Sequence, residues 1–149
     1  MVINLTDNAP RQSYAVSQGV SDSSFSVAFE FFDDADLVVV VDGTVKTLTT
    51  HYTVVHNVNL TGTVNMTSGN AVVGITGGST VIIYRKIAFK RTTDFPTSGA
   101  FPIATLNTEL DRNIALFDDQ QDRIDRAVRL NDNDDAASMV LPLKASRVG

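Results

Sequence analysis

A chain of 149 residues with 43% hydrophobic and 19% charged content has room for one ordinary domain and an appendage. Its formal net charge of −5, split as −2 over residues 1–100 and −3 over the rest, argues against nucleic-acid binding, which needs a basic face to displace counterions. The chain has no cysteine, which excludes disulfides and thiolate chemistry, and no stretch approaches the roughly 20 apolar residues of a membrane span.

Residues 1–10 read as a leader. The start, MVINLTDNAPRQSY, lacks the positive charge and apolar run of a signal peptide. Sequons at Asn4, Asn59 and Asn65 are therefore read as Thr-rich strand chemistry without glycans. With so few charges, Thr, Ser, Asn and Asp must supply the surface, which suits strands and turns. Residues 11–91 are expected to form a β-rich domain. A short strand is predicted from Arg11 to Val16, followed by turn residues at Gln18-Gly19 and Ser21-Asp22-Ser23. Phe25, Val27, Phe29 and Phe31 alternate strictly, which places four large side chains on one face of a strand.

The cluster Asp33-Asp34-Ala35-Asp36 ends that strand. Leu37 to Val41, with Val39 and Val41 in the core, is a continuous apolar run and predicts a strand covered on both faces. Asp42-Gly43 predicts a tight hairpin turn, with Lys46 to Leu48 as the returning arm. His51 to His56 reads as another strand, with Tyr52 and Val54 inward. Alternation continues through Val58, Leu60, Val64 and Met66. Ser68-Gly69-Asn70 and Gly77-Gly78 mark turns before strands at Ala71–Ile75 and Val81–Arg85, the last burying Val81 and Ile83. Seven or so short strands at these intervals predict a mainly β fold, a β-sandwich or small barrel. The basic run Arg85, Lys86, Lys90, Arg91 reads as a charged strand end facing water or a protein partner.

Residues 92–104 are expected to be a linker, since TTDFPTSGAFP breaks both periods. After it the period changes. Ile103, Leu110, Phe117 and Ile124 recur every seven residues, predicting a long C-terminal helix over 105–130 with Thr105 as its cap. With these at position a of a heptad, Leu106, Asn113, Gln120 and Ala127 fall at d, and Ile114 and Val128 at e. So broad a face suits either three helices or docking onto the β module. The charge density from Asp118 to Arg129 favours self-association over packing on the sheet. Asn113 and Gln120 in the seam set register against their own copies. Asp119–Arg123, Asp122–Arg126 and Asp125–Arg129 are exposed i, i+4 pairs worth about 0.2–0.5 kcal/mol each. Asn131 to Asp135 stops the helix, and 131–149 reads as an extended tail leading into a further segment.

No catalytic, metal or cofactor site is expected from the residue types and their spacing. His51 and His56, five apart on a strand, lie on opposite faces and cannot share a metal from that segment. The carboxylate pairs Asp33/Asp34 and Asp118/Asp119 lie at a turn and on a solvated helix face, without a pocket to separate their pKa values. Asp132-x-Asp134 lacks the glycine and closing glutamate of a calcium loop. An enzyme is not expected, and neither is a cofactor.

The segments together resemble a known family. Phe25-Ser26-Val27-Ala28-Phe29-Glu30-Phe31, Leu37 to Gly43 and His51-Tyr52-Thr53-Val54 are similar to the amino-terminal region of tail fibres and tailspikes of T-seven-like podovirus phages. Val81 to Lys86, Thr93-Asp94-Phe95, Gly99-Ala100-Phe101 and Leu106-Asn107 resemble its stretch before the helix. Arg126-Ala127-Val128-Arg129 and Leu141-Pro142 resemble its stretch beyond the helix. The similarity spans residues 11–147, and its specificity lies in the order and spacing of the segments. Departures are Asp118-Asp119, where relatives often carry alanines and glutamates, and His51 in place of Asp before Tyr52.

The resemblance implies a structural virion protein of the phage tail, a non-catalytic β-rich anchor. That anchor fixes a homotrimeric fibre, through a trimeric coiled coil, to adaptor and nozzle proteins of the tail. From charge and hydropathy no nucleic-acid or membrane partner is expected, and the resemblance leaves open whether a further fibre segment follows Gly149. The rival reading is a stand-alone carbohydrate-binding β-sandwich, but the chain has no Trp and its Phe residues alternate as core residues do. A lyase or hydrolase would need paired carboxylates in a cleft.

Overall fold

The computed structural model describes residues 10–89, 98–100 and 102–127. The expected tail, nearly all of the leader, most of the linker, and Val128 and Arg129 lie outside the described residues. The described chain is mainly β, with nine short strands followed by one helix.

Among the described residues the strands form three antiparallel sheets. The largest joins β1 (Arg11–Val16), β9 (Ser79–Arg85), β4 (Leu37–Val41) and β5 (Thr44–Val45) in that order. A second joins β3 (Ser24–Val27), β7 (Gly62–Met66) and β6 (Tyr52–His56), and a third pairs β2 (Ser21–Asp22) with β8 (Val72–Val73). All three contribute to one apolar cluster. Val16, Phe25, Val27, Phe29, Phe31, Val39, Tyr52, Val64, Val81 and Ile83 are buried in it, and Val41 and Val54 are half-buried against it. Strand alternation accounts for this, since inward residues such as Val81 and Ile83 are separated by outward ones such as Ile82.

Several local expectations need correction. The strand carrying Phe25 and Val27 ends at Val27, yet Phe29 and Phe31 keep the same inward alternation without a strand partner. Phe31 N–H donates to Leu60 O at 3.0 Å instead, so the backbone stays satisfied beyond the ladder. The returning hairpin arm is Thr44–Val45 rather than Lys46 to Leu48, and Val58 and Leu60 lie in the turn between β6 and β7. Within β4, Leu37 and Val39 are buried while Val38 and Val40 are half-buried, so one face only is fully covered.

Two glycines fix the geometry. Asp42 and Gly43 both have positive φ, +48° and +77°, the conformation of a type I′ turn joining β4 to β5. At Gly62 a Cβ would lie 2.6 Å from Val55 O and 2.8 Å from Phe31 Cζ, so only glycine lets β7 pass beneath the Phe31 ring. Tyr52, 2% exposed, donates its hydroxyl to Leu37 O at 2.9 Å and ties the two larger sheets together across the core.

The helix α1 spans Ile103–Asp125 instead of 105–130. Its N-cap is Pro102, which offers no side-chain cap, and Thr105 lies inside the first turn. Leu106 N–H donates to Pro102 O at 3.1 Å, so the helix begins as soon as proline's fixed φ allows.

Candidate functional site

The site is built where β9 meets α1. Val81 and Ile83 point inward, and the same alternation carries Arg85 inward at the strand's end, 2% exposed. Its guanidinium meets the helix. Nε donates to Asp119 Oδ1 at 2.8 Å, and Nη2 donates to Asp118 Oδ2 at 2.7 Å and to Ala115 O at 3.1 Å. Nη1 donates to Glu30 O at 2.6 Å, and the Ile87 amide donates to Asp119 Oδ2 at 3.0 Å. A buried guanidinium is tolerated when its N–H groups and charge are both answered, as here.

A second polar contact lies beside it. Arg112 Nη1 is 3.7 Å from Asp36 Oδ2, and its guanidinium sits 5.9 Å from the centre of the Phe32 ring. Asp36 also accepts from the Asp33 amide at 3.1 Å. Ile87 and Ala115, with Phe32 and Leu116 packed on them, form a small apolar cluster at this junction. The helix is thus held by the face carrying Arg112, Ala115 and Asp119, its three buried residues.

Burial at this junction shifts the acids upward. Burial raises the Asp36 carboxyl above the ordinary carboxylate range, against the pull of Arg112. Burial also raises Asp118, and the charges of Asp119 and Asp122 add to it, outweighing the opposing Arg85 ion pair. Glu30 is raised by burial first and by Asp111 second.

The expected picture of this helix is corrected here. Asp118 and Asp119 are not on a solvated face, and Asp119 pairs with Arg85 rather than with Arg123. Arg85 faces the protein interior, not water. Of the expected helix pairs, Asp122–Arg126 is present, with Arg126 Nη2 2.5 Å from Asp122 Oδ2. The dense charge predicted to keep the helix off its own module is what attaches it. The signal was present in sequence: Arg85 continues the inward series Val81, Ile83, and Arg112, Ala115 and Asp119 share one helix face by their 3–4 spacing.

The heptad seam lies on the other side. At about 100° per residue, Ile103, Leu110, Phe117 and Ile124 fall nearly opposite Arg112 and Asp119. They are 66%, 51%, 70% and 47% exposed, and Ile114 beside them is 38% exposed. Leu106 and Gln120 are half-buried, and Asn113 and Ala127 exposed. One helix therefore presents a polar face to its own β module and an apolar stripe outward.

His51 and His56 stay apart in role as well as direction. His51 Nδ1 accepts from the Thr47 amide at 3.1 Å, and His56 Nε2 lies 2.6 Å from Asp34 Oδ1. Among the described residues no three His, Asp or Glu side chains are grouped to hold a metal, and no helix is long and apolar enough to cross a membrane. Compared with known proteins, the chain matches no family model and no curated sequence.

Proposed function

We propose that this chain is a structural virion protein: the anchor of a homotrimeric tail fibre of a short-tailed phage. In this reading its β module, sandwich-like, docks to adaptor and nozzle proteins of the tail. Its helix joins three copies in a coiled coil whose seam is Leu106, Leu110, Asn113, Phe117, Gln120, Ile124 and Ala127. The protein performs no catalysis itself.

One observation supports the reading above the others. Five large apolar side chains, Ile103, Leu110, Ile114, Phe117 and Ile124, stand exposed in a single stripe on a helix already attached by its opposite face. Complete burial of each such side chain contributes about 1.5–3 kcal/mol. Water is a poor permanent neighbour for so continuous a patch. A second copy of the same stripe is its natural complement, and the breadth added by Ile114 favours three helices over two. Because the Arg85 attachment uses the opposite side, bundling the helices leaves every β module on the outside, free to contact another protein.

Light scattering on the full chain tests this. The expected mass is about three times the 16.1 kDa of one chain. A monomer at every concentration tried overturns the proposal.

A further inference from the structure

The outward side of the four-stranded sheet carries an apolar patch, beside Arg11, Ser13 and Thr80, where solvent-facing strands usually carry polar residues. Val38 pairs with Tyr84 and Val40 with Ile82, all half-buried, and Val45 beside Val40 is 62% exposed. The last turns of α1 border this face, leaving a groove of about 510 Å³ between helix and sheet. Its walls carry Arg11, Arg85, Lys86, Arg123 and Arg126 against one carboxylate, Asp122. Asp122 is engaged by Arg126, and Arg85 by Asp118 and Asp119. Arg11, Lys86 and Arg123 form no ion pair with a described residue. Arg11 lies over the Tyr84 ring, 5.0 Å from its centre, and its Nε is out of solvent without a hydrogen-bond partner among the described residues.

We propose that this groove docks an acidic, partly apolar polypeptide segment of another protein. The segment's carboxylates meet Arg11, Lys86 and Arg123, and its apolar side chains lie on Val40 and Ile82. Charge complementarity carries the choice of occupant. The chain as a whole carries a net charge of −5, so an acidic partner is favoured where cationic side chains gather, as they do along this apolar groove. The proposal is independent of how many copies associate through the helix stripe.

The test uses the full chain and a short peptide of alternating glutamate and valine, with a lysine-for-glutamate counterpart as control. The glutamate peptide is expected to shift the NMR signals of Val40, Ile82 and Tyr84, and to bind more weakly as salt is raised. Reversing the charges with R11E, K86E and R123E together is expected to weaken binding by about tenfold or more. The mass by light scattering stays that of the parent. Arg123→Glu alone, on the exposed helix surface, gives the same reading should the combined variant fail to fold. Absent binding, equal binding of the lysine peptide, or shifts confined to another face overturns the proposal. A fall in mass on charge reversal also overturns it, by assigning the groove to contact between copies.

Discussion

Arg85 and Asp119 meet at 2.8 Å with both side chains out of solvent, 34 residues apart in the chain. The pair joins the end of the last strand to the C-terminal part of the helix. It is reinforced by the Ile87 amide on the other carboxylate oxygen and by Asp118 on the other side of the guanidinium. Removing either partner strands a charge in a place that water does not reach.

Arg85→Ala is therefore expected to cost about 3–5 kcal/mol, the range for breaking a buried pair from one side. Replacing both partners with apolar residues, as in Arg85→Met with Asp119→Leu, is expected to recover only part of that loss, because Asp118 and the Ile87 amide then lose their partners. Urea denaturation of the two variants measures both effects. A loss below about 1 kcal/mol in Arg85→Ala is the behaviour of a solvent-exposed pair and contradicts the burial.

Phe117 separates the helix stripe from the core. At 70% exposure in the single chain, its change to alanine is expected to alter monomer stability by no more than about 0.5 kcal/mol. If three stripes pack together, the same change costs the assembly about 3–5 kcal/mol. Denaturation followed over a range of protein concentrations distinguishes the two. Concentration-independent unfolding of the parent removes the seam.

Gly62→Ala places a methyl group against Val55 O and the Phe31 ring, both closer than 3 Å. The backbone oxygen has no room to retreat, because Val55 is paired with Thr63 in the ladder between β6 and β7. The expected loss is about 1–3 kcal/mol, as for overpacking. A melting curve unchanged from the parent contradicts the close approach.

Acid dependence comes from Asp36 and Asp118, both raised above the ordinary value of 3.8 in the folded chain. A carboxyl with a higher folded than unfolded pKa binds its proton more tightly when folded. It therefore adds stability as pH falls through the folded value, and the gain is complete below the unfolded one. The parent is expected to gain stability on acidification across that window relative to Asp36→Asn with Asp118→Asn, whose sites do not titrate. Denaturant midpoints for both proteins from neutral pH downward measure the difference. Parallel curves contradict the shifts.

Much of the β module was legible in sequence because strand alternation is local. Phe25, Val27, Phe29 and Phe31 are buried in the order their spacing predicts, and Asp42-Gly43 forms the turn that its residue types require. Strand ends were less legible. Nothing local says that pairing stops at Val27 while the inward pattern runs on to Phe31.

By itself the sequence determined the two periods, the position of the change between them and the apolar stripe on the helix, since each depends only on neighbours along the chain. Only the tertiary structure decided which side of that helix faces its own β module. The apolar side is the one a reading by hydrophobicity selects. The polar side prevails because Arg85 arrives at the strand's end already desolvated, and Asp118 and Asp119 are placed to answer its charge. A buried charge must find its partner wherever in the chain that partner lies, whereas an apolar stripe can remain available for another molecule.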